Sequence, residues 1–568
     1  MKNVFVIKIG GKAGFGIMTS SFLISKVATR SGYYVFAYPE YPSLIRGGHN
    51  VVSINISKEK IHCQYPHTNL LIALNQETID LHKKELPRGG MILFDNSSYE
   101  KITPNKNYKY FGVPASTIVK EASDDLIMRN NVMLGAALAL LGGDLGILKK
   151  LINEQFIKKN PKIAEKNNQV AQAGYDYILQ NYPRSNGQEL AVREKISGQI
   201  LTTANEAISL GAIAGGLQFA AIYPMTPTST ILSVLAPLQE KYGFVYKQPE
   251  DEIAAINMAI GASFAGARSM VATSGGGFCL MSEGYGLAGQ TETPIVIIEG
   301  MRGSPATGLP TWTEQGDLRF ILHAHQGEFP RIILAPGDSE EAFYMTRLAF
   351  NLADRYQTPV VVLVDKYICE SYISTAPFST SGFRIDKGKL ITKLQNNYSR
   401  YALQKDGISP RALPGSGNYF TANSDEHDAM GLSAEDSDIR LDQMDKRMKK
   451  LETCAKLDMP KPSLYGSKNA DITLVSWGSN KGPILDAIAE LKSVNYLHLN
   501  WINPFPTKTV ESILRKAKKI LNIECNYSGQ MKGLIREKTG INIKHNLLKY
   551  DGRPFYAEEI INKVKKMR

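Results

Sequence analysis

Chemistry in this chain concentrates in four short segments between residues 220 and 320. The first, YPMTPTST (Tyr223–Thr230), sets the hydroxyls of Thr226, Thr228 and Ser229 beside two prolines that stiffen the backbone carrying them. Thr228 or Ser229 could equally cap the helix-like ILSVLAPL that follows. The second, QPEDEIAAINMAIGASFAGA, opens on Pro249, Glu250, Asp251 and Glu252. Proline and acids suit a first helical turn with no further role, because they complement the helix dipole. An acid turned toward the small apolar residues that follow would instead be desolvated, the setting a proton-sharing carboxylate needs. The third, TSGGGFCLM (Thr273–Met281), puts Gly275 and Gly276 where a backbone can approach a flat ligand closely. The fourth, EGMRGSPATGLPTWTEQGD, places Arg302 in a hydroxyl-rich loop suited to bidentate binding of a carboxylate. A lone arginine is usually a surface residue, so only the combination is informative.

The elements positioning these segments follow from apolar periodicity. The runs AAIYP (220–224), SMVAT (269–273), PIVIIEG (294–300), RIILA (331–335) and PVVVLVD (359–365) are nearly continuous in Val and Ile. Separated by glycine-containing helical stretches, they predict a parallel sheet buried on both faces, with ligands at its carboxyl ends. The chain starts on another α/β pattern: VFVIKI (4–9), a glycine turn with Gly10, Gly11, Gly14 and Gly16, then a helix-like segment. Further strands are expected at 51–56, 70–74 and 91–95. GGKAGFG fits neither a dinucleotide fingerprint nor a Walker loop, so a tight strand-to-helix turn is favoured over a phosphate cradle. YPEYPSLIRGGHN (38–50) reads as a loop, either surface packing or a subunit contact or lid. A last α/β unit begins with DITLVSWGS at 471. The expected division is residues 1–190, 196–380, a polar connector over 381–466, and 467–568.

Composition sets outer limits. With 568 residues, 43% hydrophobic and 21% charged, the chain is a multidomain globular protein and not a disordered one. Lys8 interrupts the first apolar run and no cleavage site follows, so the start reads as a strand and not a signal peptide. Val132–Gly143 falls short of the roughly 20 residues that span a bilayer; a cytoplasmic location is expected. The net charge of +12 is spread over separated lysines, which argues against nucleic acid. Cys63, Cys279, Cys369, Cys454 and Cys525 form no CxxC pair, so any redox metal is expected on another chain.

In order, YPMTP, EDEIAA, ATSGGG and RGSPATGLPTWTEQGD resemble the alpha subunit of 2-oxoacid:ferredoxin oxidoreductases, of the 2-oxoglutarate type. GGKAGFGI and AYPEYPSLIRGGHN resemble a gamma domain fused in front of it. SPRALPG, SDEHD, DKRMKKLE, NPFP, ECNYSGQ and YDGRPF resemble the remainder. The resemblance implies a gamma α/β domain, a pyrimidine-type thiamine-diphosphate-binding domain and a transketolase-C-like α/β domain. It implies oxidative decarboxylation of 2-oxoglutarate or a related 2-oxoacid, with coenzyme A as co-substrate and ferredoxin as electron acceptor. Thiamine diphosphate would be shared with a beta subunit that holds Mg2+ and a 4Fe–4S cluster, in an alpha–beta heterodimer or its dimer, and the chain would be inactive alone. Glu252 matches the glutamate that shares a proton with the cofactor's pyrimidine ring. Tyr223, Pro224, Gly275 and Gly276 match cofactor contacts, and Thr226 and Arg302 match the residues that hold the oxoacid. Met225, where isoleucine is common, and Thr228, where serine is, depart mildly from the pattern, and Cys525 stands in a stretch expected to be polar. A pyruvate or broad-specificity enzyme, or a non-catalytic scaffold, are the alternatives.

Overall fold

The computed structural model describes residues 2–568 except 45, 46, 98–101, 103, 124, 158, 159, 184–186 and 194–197. Arg46 of the expected 38–50 loop, and part of the polar stretch near 181–189, lie outside the described residues. The chain divides into two compact units, Met1–Thr202 with Glu370–Pro377, and Thr203–Cys369 with Phe378–Arg568.

The first unit is built on an eight-stranded mixed sheet. Val4–Lys12, Leu70–Ala73, Met91–Asp95 and Lys109–Val113 run parallel, while His49–Ser57 and Tyr34–Glu40 add antiparallel strands on the other side. Two sequence expectations change here. Gly10 and Gly11 belong to the first strand and not to a turn, and Tyr38, Pro39 and Glu40 extend a strand that prolines had disguised as a loop. Pro39 pairs with Val52 on one side, but lies past the last residue, Ala37, paired with the Tyr372–Thr375 strand on the other. A missing N–H is tolerated at such an edge. The apolar 132–143 run forms most of a fully buried helix, Arg129–Leu141, crossed closely by Pro161–Asn181. A Cβ on Gly135 would stand 1.9 Å from the Ala171 carbonyl oxygen, so glycine is what permits the crossing.

Among the described residues the second unit holds three sheets, the smallest a parallel pairing of Leu390–Ile391 with Arg411–Ala412. The seven-stranded one has the order Trp501–Asn503, Ile332–Leu334, Pro359–Asp365, Ile295–Met301, Ser269–Thr273, Phe219–Ala221, Val245–Lys247, and is parallel except for the 501–503 strand. Every residue of 359–365 and 295–301 is buried, as the uninterrupted Val/Ile runs require. The five-stranded sheet is built around Ile472–Trp477, Val494–Leu499 and Lys519–Glu524. Within the last α/β unit the segment NYLHLNWINPFP is split: 494–499 stays in the five-stranded sheet and 501–503 joins the seven-stranded one. Between these sheets in sequence, Ser437–Leu457 is a helix whose Lys446 and Lys450 each reach the fully buried Glu292 at 2.6 Å. No helix of the described residues is long and apolar enough to cross a membrane.

Candidate active site

All four chemistry-bearing segments lie at the carboxyl ends of the parallel strands. YPMTP follows Phe219–Ala221, the glycine run follows Ser269–Thr273, and the Arg302 loop leaves Ile295–Met301. That edge is where open parallel sheets bind ligands.

The three consecutive acids separate by role. Glu250 is exposed. Asp251 is the cap of the Glu252–Phe264 helix, its carboxylate accepting from the Ala254 N–H at 2.8 Å. With the cap supplied by its neighbour, Glu252 turns inward and is 2% exposed. Its Oε1 is buried with no hydrogen-bond partner among the described residues. An orphaned buried carboxyl oxygen is rare in proteins and calls for a ligand that completes it.

The glycines are shaped around that carboxyl. A Cβ on Gly277 would meet Thr273 Oγ1 at 2.0 Å and Glu252 Oε1 at 2.6 Å, so the third glycine makes room for the acid. At Gly276 a Cβ would meet nothing within 4 Å, which leaves the start of the Gly275–Gln290 helix open to a ligand. Gly275 faces Asp317, whose Oδ2 would be 2.5 Å from a Cβ there.

Arg302 donates from Nη1 to the Thr226 carbonyl at 2.9 Å, bringing together the two residues matched to the oxoacid. Burial lowers the pKa of the guanidinium, and the negative charges of Asp317 and Glu299 oppose that shift. Thr228 does not cap its helix; its hydroxyl donates back to the Met225 carbonyl at 3.0 Å and tightens the turn that displays Thr226. Tyr223 is half-buried and Pro224 exposed at the same strand end, and no hydrogen bond links either to Glu252 or Arg302.

Sequence reasoning passed over a second group of acids. Glu299 lies two residues before the end of one buried strand, Asp365 ends the strand beside it, and Asp317 closes the Arg302 loop. Burial, then the repulsion of Asp317, pushes Glu299 well above the carboxylate range. Burial likewise raises Asp317 and Asp365, each to about 6. The available signal was an acid interrupting each Val/Ile strand at its last turn, a costly position unless the site needs it. Thr311, on the same loop, is 5% exposed with a buried, unpartnered hydroxyl.

The fit to a thiamine cofactor rests on the orphaned Glu252 oxygen and the open Gly276. Consistent with it, residues 210–446 match the family described as pyruvate flavodoxin/ferredoxin oxidoreductase, thiamine diP-bdg. Residues 6–177 match pyruvate ferredoxin/flavodoxin oxidoreductase, and 470–560 match pyruvate:ferredoxin oxidoreductase core domain II. The chain is thus an oxidoreductase subunit of the thiamine-diphosphate-binding class. It is 34% identical over 624 residues to the 2-oxoacid:ferredoxin oxidoreductase subunit alpha of Saccharolobus solfataricus, covering 98% of this chain and 96% of that one. It is 28% identical to the 2-oxoglutarate oxidoreductase subunit KorA of Mycobacterium tuberculosis, over 99% of this chain and 91% of that one. The structure of the 2-oxoglutarate:ferredoxin oxidoreductase of Magnetococcus marinus, with 2-oxoglutarate, coenzyme A and succinyl-CoA bound, superposes with a TM-score of 0.92 at 30% identity, covering 100% of both chains. The chain belongs to the alpha subunits of the 2-oxoacid:ferredoxin oxidoreductases, with the gamma-like domain fused in front.

Proposed function

We propose that this chain supplies the proton-holding and substrate-holding half of a 2-oxoacid:ferredoxin oxidoreductase acting on 2-oxoglutarate or a close relative. The observation that carries this reading is the inward, unpartnered Oε1 of Glu252 beside the open helix start at Gly276. Glu252, Gly275 and Gly276, with Tyr223 and Pro224 at the neighbouring strand end, would hold the aminopyrimidine end of thiamine diphosphate. When bound, that cofactor supplies the carbon nucleophile and electron sink for decarboxylation, chemistry no side chain provides. Glu252 would hold a proton at Oε1 for exchange with the cofactor's aminopyrimidine ring. Arg302 binds the oxoacid carboxylate as a fixed planar fork, and Thr226 orients the 2-oxo oxygen.

A beta subunit completes the site with the diphosphate end, Mg2+ and the 4Fe–4S cluster, and passes electrons to ferredoxin. Two features support a partner here. The five cysteines of this chain stand apart in sequence with no cluster spacing. Beside Glu252, the helix faces carry exposed Ile253 and Met258, and Leu280 on the next helix is 49% exposed, an apolar surface at the edge of the site. Reduced thiols and a diffusible iron–sulfur acceptor both fit a cytoplasmic enzyme.

The test is Glu252→Gln, assayed with the partner subunit for coenzyme A-dependent dye reduction on 2-oxoglutarate, pyruvate and 2-oxobutyrate. Turnover falls roughly 100-fold or more, the usual scale of general acid–base assistance. Wild-type turnover in this variant would overturn the assignment.

A further inference from the structure

Glu299 is fully buried, and neither of its carboxyl oxygens has a hydrogen-bond donor among the described residues. What it meets instead is another acid: its carboxyl contacts that of Asp317. Two buried carboxyl groups in direct interaction do not both ionise, so they hold one proton between them and carry a single negative charge. Asp317 makes no cap bond to its own short helix, Leu318–His323. Its carboxyl lies against Gly275, at the start of the helix that borders the cofactor site. Among the described residues the remaining ionisable groups facing the pair are Asp365, Cys279, Glu314 and Arg302, of which Arg302 is the cation. Asp317 and Arg302 attract each other through space and form no direct ion pair.

We propose that the Glu299–Asp317 pair is a proton-coupled positioning device for Arg302. Asp317 is the counter-charge of Arg302 while no oxoacid is bound, and takes up a proton from solvent when the oxoacid carboxylate becomes that counter-charge instead. The proposal rests on Arg302 being the carboxylate site. The exchange keeps the buried charge constant: one anion enters with the substrate, and one is neutralised by the incoming proton. It avoids the expense of holding two negative charges, that of the pair and that of the oxoacid carboxylate, in a low-dielectric site. Substrate affinity is therefore tied to pH through a residue that does not touch the substrate. Asp317 titrates from about 6, so binding strengthens as pH falls toward that value.

The experiment is isothermal titration calorimetry of the complete alpha–beta enzyme with N-oxalylglycine, a 2-oxoglutarate isostere that does not decarboxylate, in buffers of differing ionisation enthalpy. The slope of observed enthalpy against buffer enthalpy counts protons. A rise of about one pKa unit on losing an opposite charge corresponds to uptake of about half a proton per site near pH 6.5. Wild type shows this uptake, Asp317→Asn shows none, and Glu299→Gln, whose amide can still donate to Asp317, retains it. A wild-type slope of zero, or an unchanged slope in Asp317→Asn, overturns the proposal. Should Asp317→Asn not fold, the wild type decides alone: affinity for N-oxalylglycine weakens from about pH 6.5 to 8, and a constant affinity overturns the proposal. Failure of the underlying assignment looks different: Arg302→Ala would then bind N-oxalylglycine as tightly as wild type.

Discussion

Residue types alone left Glu252 as one of three candidate acids and the family resemblance matched it; the structure adds a contact the sequence does not encode, since Asp251 occupies the cap and its neighbour is free to face inward. Gly277 sharpens the point. Its importance was hidden in a run of three glycines, and only geometry shows that the third is the one abutting Glu252. Gly277→Ala forces overlap with Thr273 Oγ1 and Glu252 Oε1, an overpacking that costs about 1–3 kcal/mol. A lowered denaturation midpoint together with reduced kcat is the expected result, and an unaltered kcat would show that the Glu252 position is not constrained there. Arg302→Lys keeps the charge but not the planar fork. The KM for the oxoacid rises roughly 10–100-fold, the loss of about 1.5–3 kcal/mol typical of a charge-assisted hydrogen bond; an unchanged KM argues that the loop binds something else. Glu299 and Asp365 were missed because pattern reading counts strand residues and gives no weight to an acid within or at the end of a buried run, and Asp317 because a loop acid has no pattern to mark it.

At the level of elements, continuous Val/Ile runs predicted the central strands of the large sheet almost residue for residue, since a strand buried on both faces has no polar alternation to blur its ends. Two strands were missed, one inside its sheet and one at an edge. Tyr34–Glu40 was hidden by Pro39, and Trp501–Asn503 by its continuity with the strand before it. The polar 381–466 segment could not be read beyond its one charged helix, because its order depends on buried ion pairs that sequence cannot match up. Lys450, Lys446 and Arg400 together hold Glu292 well below the carboxylate range despite its burial, which acts in the opposite sense. Replacing that acid, Glu292→Gln, leaves two lysines buried without their counter-charge. Stability falls by about 3–5 kcal/mol in chemical denaturation, the usual result of breaking a buried ion pair from one side; a loss below about 1 kcal/mol would mean that Glu292 is not what holds the Ser437–Leu457 helix in place.

Across the whole molecule, each unit carries at least one acid whose ionised form the fold stabilises. Burial opposes ionisation of Glu85, but hydrogen bonds from His82 and the charge of Lys8 outweigh it and bring its pKa to about 2. Glu426 is drawn to about 2 in the same way by Arg447 and Arg440. Because these folded-state values lie below the ordinary value of 4.5, the stability they contribute is present above that pH and lost as pH falls toward 2. The denaturation midpoint should therefore drop between about pH 5 and 2, and Glu85→Gln should flatten part of that drop; an identical pH dependence in the variant would remove Glu85 from the account. The family was legible from motif order over nearly the full length, whereas the site was legible only as a set of candidates, since burial and orientation decide which of several acids or hydroxyls faces a ligand. The central claim, that this chain holds half of an active site organised by Glu252, meets its most direct test in reconstitution. 2-Oxoglutarate- and coenzyme A-dependent reduction of ferredoxin is measured with this chain alone, with its partner subunit, and with the partner plus Glu252→Gln. Turnover is expected only in the second mixture, and turnover by the isolated chain, or by the Glu252→Gln mixture at the wild-type rate, would contradict it.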